Sequence, residues 1–257
     1  PAANLNDDLK PNFHAGKALA NQPWVKAPTV TFARDGLGPI YNARTCLTCH
    51  IKGGKVFVPA DNKTPLTSTL VRLSILPEFS PLDEVEKIQK LKTSGHLPHP
   101  VYGDQIQSQS ISLAHQLRHS QKPGVLKHDV APEAYIHINW QEKVFTYPDQ
   151  SQINLRFPEL DFKYLGYGDM NDDAVFSIRV APMIHGMGLI SLINDDDILA
   201  LSDENDGNQD GISGRPNQVW NVETQRTEIG RFGLKANKPT LEMIVAGAFT
   251  NDLGITN

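Results

Sequence analysis

Cys46 and Cys49 are the two cysteines of the chain, three positions apart, and His50 follows directly. Two thiols one helical turn apart can add across the two vinyl groups on one edge of a porphyrin. The histidine that follows then lies beneath the ring, where its neutral imidazole can bind the iron. Cys-x-x-Cys-His is the pattern of covalent c-type haem attachment. Two other chemistries use cysteines at this spacing. Half of a zinc site would need further Cys or His ligands at short spacing, and there is no third cysteine. A redox dithiol normally sits after a strand at a helix start, and nothing requires a histidine after it. One covalent haem c, held by Cys46, Cys49 and His50, is the expected cofactor. Such attachment is associated with export across the bacterial inner membrane, so a periplasmic location is expected.

The sixth position on the iron decides the chemistry. Met183 and Met187 flank His185 in Ala181-Pro182-Met183-Ile184-His185-Gly186-Met187-Gly188 and are candidate distal ligands. A thioether there raises the potential, a second histidine lowers it, and an open site admits peroxide. Both methionines could equally fill core space against the porphyrin. Arg44, Lys52, Lys55 and Arg231 could pair with haem propionates, Arg44 foremost because it stands two positions before Cys46. His115 and His119 share a helical spacing but have no acidic third ligand nearby, which favours solvent-facing side chains. His96, His99, His128 and His137 are weaker candidates, in proline-rich or strand contexts. Asp206, Asn208 and Asp210 with Gly211 match the opening of a calcium loop, with Ile212 at the carbonyl position. Asn217 stands where that loop would need a glutamate, so Ca2+ would brace a turn rather than fill an EF-hand.

Elements to position these groups are legible in part. The chain has 257 residues, a net charge of −5, 21 % charged residues, 19 glycines and 18 prolines. That is a loop-rich globular composition, long enough for a substantial core. The acidic balance excludes a dedicated nucleic-acid binder, and no run of about 18 apolar residues suits a transmembrane segment. The start, Pro1-Ala2-Ala3-Asn4-Leu5, has neither an initiator Met nor a basic-then-apolar leader, and reads as a mature or trimmed chain. Leu9, Phe13, Ala18 and Leu19 predict a helix within Asp8 to Gln22. Leu82, Val85, Ile88 and Leu91, with acids early and lysines late, predict another up to Ser94. From about Ala134 to Gly168, β-branched and aromatic runs broken by Pro148 and Pro158 predict a small antiparallel meander. Asp195-Asp196-Asp197 and Lys238-Pro239-Thr240 each open a helical stretch. The expected fold class is α+β: a predominantly helical cytochrome c-like haem domain with an inserted small antiparallel β meander and long loops. Its expected divisions are a haem region at 1–130, the meander at 131–170, and a helical region at 171–257 that carries the acidic loop.

Longer stretches around these residues resemble a known family. They are Phe13 to Leu19, Trp24, Arg34 to Thr45, Pro100 to Gln107, Arg179 to Pro182, Asp210 to Asn217, Gly230 to Ala236, Pro239 to Glu242 and Val245 to Phe249. The chain is similar along nearly all its length to bacterial di-haem oxidoreductases, also described as thiol oxidoreductases, related to cytochrome c and peroxidase-like. The resemblance implies an electron-donating haem serving a catalytic one. Members usually run longer and carry a second Cys-x-x-Cys-His, which this sequence lacks, so the chain is expected to be an N-terminal part or to meet its second haem on another polypeptide. The implied function is electron transfer with peroxidase-like activity in a longer di-haem protein. Its partners would be a redox protein or second haem domain and a small-molecule oxidant or reductant. The alternatives are a mono-haem electron-transfer module with no activity of its own and, more remotely, a non-haem metal-handling protein.

Overall fold

A computed structural model describes residues 3–54, 58–61, 63–64, 66–112, 130–170 and 172–256. The first expected helix forms as α1, Lys10–Asn21, entered through a single 3-10 turn at Asp7–Leu9 with Pro11 in its first turn. The short α2, Cys46–Cys49, is capped by Thr45, whose hydroxyl accepts from the Thr48 amide. Helix α3, Glu84–Ser94, begins with a full capping box. Asp83 accepts from the Glu86 amide at 2.8 Å while the Glu86 carboxylate accepts from the Asp83 amide at 3.2 Å. It ends on left-handed Gly95. Its apolar stripe is turned outward, with Val85 76 % and Ile88 65 % exposed, whereas Lys92 lies over the Trp220 ring. After Pro182 the helices are brief: α4, Met187–Ile190, and α5, Asp195–Ala200. The last, α6, Leu241–Leu253, is capped by Thr240, so Pro239 stands just before the cap rather than in the first turn.

Strands carry more of the molecule than the sequence led us to expect. Among the described residues 24 % are helical and 26 % are in eight strands, which corrects the expectation of a predominantly helical cytochrome c-like domain. Two causes are plain. Strands β2, Thr69–Ile75, and β6, Ala174–Val180, pair antiparallel across about a hundred residues of chain, from Thr69↔Val180 to Ile75↔Ala174. The ribbon between them consists of two long strands, β4, Tyr135–Thr146, and β5, Gln152–Lys163, in place of a meander of short ones. Pro158 does not break β5; it pairs with Trp140, because each strand of a two-stranded ribbon has an open edge where a missing N–H costs nothing. The other pairs are β1, Ile40–Tyr41, with β3, Gln109–Ser110, and β7, Gln218–Asn221, with β8, Arg226–Ile229.

Two apolar clusters hold these pieces. Buried Leu73, Tyr102, Ile106 and Ala134 gather Ile136, Phe162 and Phe176, fixing the base of the ribbon to the β2–β6 pair. Leu37, Tyr41 and Leu253 gather Trp24, Ile111 and Phe249, fixing the end of α6 to the segment that leads into α2. At that junction a Cβ on Gly38 would collide with the backbone of left-handed Gly254, so the two backbones touch only because both residues lack side chains. No helix among the described residues is long and apolar enough to cross a membrane.

Candidate functional site

The turn bearing the two thiols is clamped on both flanks. Upstream, the Trp24 amide donates to the Arg44 carbonyl and the Arg44 Nε donates to the Trp24 carbonyl, both at 2.9 Å. The amides of Asn42 and Ala43 donate to the Asp252 carbonyl at the end of α6, at 2.8 and 3.0 Å. Downstream, the His50 amide closes the turn on the Cys46 carbonyl. Cys46 and Cys49 are free thiols, half-buried on the same turn. Burial pushes both thiols up. Cys49 reaches about 11, with the charges of Asp252 and Cys46 adding to burial. These are not the low-pKa thiolates of a disulfide oxidoreductase. Among the described residues no three His, Cys, Asp or Glu side chains gather as a possible metal-binding group.

The imidazole of His50 is held from behind. Its Nδ1 lies 2.7 Å from the Pro182 carbonyl oxygen. A carbonyl only accepts, so Nδ1 carries the proton and Nε2 keeps its lone pair. That is the tautomer an axial histidine needs, with the outer hydrogen bond fixing the ring and raising its basicity. Pro182 reaches this place because the β2–β6 ladder continues one step past β6, the Ala181 amide donating to the Ser68 carbonyl. The Ile184 amide then donates to the Gly53 carbonyl at 3.0 Å. Residues Met183 and His185 press on the two glycines after the motif. A Cβ on Gly53 would lie 2.5 Å from His185 Nε2, and one on Gly54 2.6 Å from Met183 Cγ. Free thiols on one turn and a histidine whose Nε2 keeps its lone pair fit a porphyrin attached at this turn.

The family-model comparison accords with this geometry. The model for "di-haem oxidoreductase, putative peroxidase" matches residues 1–257. The chain belongs to that family. Neither the search of curated proteins nor that of solved structures returned a match. The di-haem oxidoreductase family name speaks of two haems, and this sequence holds one Cys-x-x-Cys-His.

The remaining candidates fall in several places. Met183 is 55 % exposed, and Met187 is half-buried at the start of α4. Arg44 keeps its terminal nitrogens without a partner among the described residues, whereas Arg231 is engaged by Asp195 and the Ile190 carbonyl. His96 pairs with Asp104 at 3.0 Å, and that hydrogen bond pushes its pKa up. His99 is buried, with Nδ1 accepting from the Val101 and Tyr102 amides. His137 sits on the ribbon. Lys55, His115, His119 and His128 lie outside the described residues. In the acidic loop, Asp206 accepts from the Gly211 amide, Asn208 from the Asp210 amide and Asp210 from the Ile212 amide. The loop is closed by reciprocal bonds between Asp203 and Gly214. These side chains thus shape the turn, whatever else they bind.

Two functional groups went unread in the sequence as such. Pro182 acts through its backbone oxygen, 132 positions from His50, which no side-chain motif announces. Asp252 sits beside the thiols with its carboxyl pushed up by burial, against the pull of a 2.7 Å bond from Gln105 and the charge of Arg72. Its place follows from the packing of α6, which local periodicity does not show.

Proposed function

We propose that this chain is an exported c-type haem redox module that carries one haem of a di-haem oxidoreductase. Cys46 and Cys49 would hold the porphyrin through thioether bonds, and His50 would supply the fifth ligand through Nε2. The bound haem would supply one-electron chemistry, relaying electrons to or from a second haem held by a partner domain or protein, which acts on a small oxidant such as a peroxide. The observation that carries this reading is the 2.7 Å contact between His50 Nδ1 and the Pro182 carbonyl, which turns Nε2 away from Pro182 and leaves it to a ligand. Arg44, with its terminal nitrogens unpaired among the described residues, is the propionate partner we favour.

Met183, largely exposed, and half-buried Met187 would be the candidates for a further ligand to the iron, and a thioether there would favour electron relay.

A second reading is favoured by the single haem motif: a one-haem electron-transfer module with no turnover of its own. Expression with the c-type maturation machinery separates the two. A pyridine haemochrome assay giving one covalent haem per chain supports either. A high-spin ferric spectrum with peroxide turnover selects catalysis, and a low-spin spectrum with a sulfur-to-iron band selects electron relay. Recovery of haem-free protein would sink both.

A further inference from the structure

The β4–β5 ribbon carries a surface that haem binding leaves unexplained. In an antiparallel pair, opposed residues share a face and successive residues alternate. At the base the even-numbered face is the buried one: Ile138 is 2 % exposed, and Ile136 and Phe162 pack on the cluster around Leu73. The odd-numbered face there is polar, with His137 opposite Asp161 and Asn139 opposite Glu159. Beyond Gln141 the polarity inverts. The even face becomes Glu142 opposite Arg156, Val144 opposite Asn154 and Thr146 opposite Gln152. The odd face gathers Phe145, Tyr147, Ile153, Leu155 and Phe157, each between 43 % and 61 % exposed. The Phe145 and Tyr147 rings meet edge to face at 5.1 Å, which places them on one side. Arg156 ties the polar side to the body, lying over Trp140 and donating to the Ala60 carbonyl at 3.0 Å. The apolar stripe is on the opposite side.

We propose that this stripe is a self-association surface, on which two copies of the chain stack their ribbons face to face about a two-fold axis. Its five side chains expose roughly 500 Å² per copy. Facing two such stripes would remove roughly 1,000 Å² from water, the lower end for a specific interface. An apolar face of this kind is its own complement, because the same patch on a second copy supplies an equal apolar area, and the one charge on it, Lys143 opposite Leu155, stands on a long stem that can carry its ammonium to the edge. A peptide added by strand pairing would use the ribbon's edges and leave the stripe in water.

Sedimentation velocity of the haem-loaded protein, from low micromolar concentration upward, tests this directly. The wild type should sediment as a dimer, and Leu155→Lys with Phe157→Lys as a monomer. Val144→Lys on the opposite side should leave the dimer intact. Amide exchange across residues 143–157 should slow as wild-type concentration rises, which guards against a variant that merely misfolds. A wild type that stays monomeric, or exchange independent of concentration, overturns the proposal. So does a stripe shielded by a different protein.

Discussion

At the scale of single residues, the candidate site brings together three side chains and one backbone oxygen. The thiols and imidazole were legible in the sequence because their chemistry depends on spacing along one turn. The Pro182 carbonyl was not, because any residue type could supply it and only the tertiary fold brings it to His50. The two sulfurs are distinguishable by experiment. Replacing Cys49 with Ala should leave the porphyrin fastened through Cys46 alone, so haem resists acid–acetone extraction while the pyridine haemochrome α band moves to longer wavelength, one vinyl remaining unsaturated. An unshifted band would mean that Cys49 forms no thioether. Gly53, at φ 80° and facing His185, tests the backing of the imidazole. Its replacement by Ala should cost about 1–2 kcal/mol from the left-handed backbone and the displaced His185 ring. The Ile184–Gly53 hydrogen bond and the Pro182 segment should shift with it, and the melting temperature and haem reduction potential together would show this. An unchanged potential would indicate that the segment does not steady the ligand.

At the scale of elements, what could be read was whatever is decided locally. Helix α3 was foreseen from charges that suit its dipole, and it forms with the Asp83–Glu86 box. Helix α1 was foreseen from apolar spacing, and α6 from the Lys238-Pro239-Thr240 opening. The β2–β6 pair escaped because a strand's partner lies far away and alternation in Thr69–Ile75 competes with no obvious turn signal. In the sequence Pro158 reads as an interruption, whereas β5 runs through it, because an open edge accommodates the proline. The ribbon's attachment has a pH dependence of its own. Buried Glu133 accepts from the Gln107 amide at 2.6 Å, and burial lifts its carboxyl from 4.5 to about 7. The fold therefore favours the protonated acid. Its contribution is fully present below pH 4.5 and is lost as pH rises to about 7. The loss amounts to at most about 3 kcal/mol. Glu133→Gln keeps an oxygen for Gln107 and stays neutral, so at pH 8 it should melt higher than the wild type, with the gap closing towards pH 4.5. Parallel melting curves across that range would show that Glu133 ionises without cost.

At the scale of the whole molecule, fold class was the expectation that failed, whereas the family was right. The two differ in what they draw on: helix content sums many local choices, several overridden by long-range pairing, while family membership rests on motifs spread from Phe13 to Phe249. The molecule backs one short cysteine turn with a sheet end and a helix end, and sets an amphipathic ribbon to one side. The proposed function requires the polypeptide to be covalently bonded to one porphyrin. Denaturing mass spectrometry of the protein matured in a host that assembles c-type cytochromes reads this in one number. The chain should weigh its polypeptide mass plus one haem, with no unmodified form. A mass equal to the bare polypeptide, or lighter by two hydrogens from a Cys46–Cys49 disulfide, would contradict it.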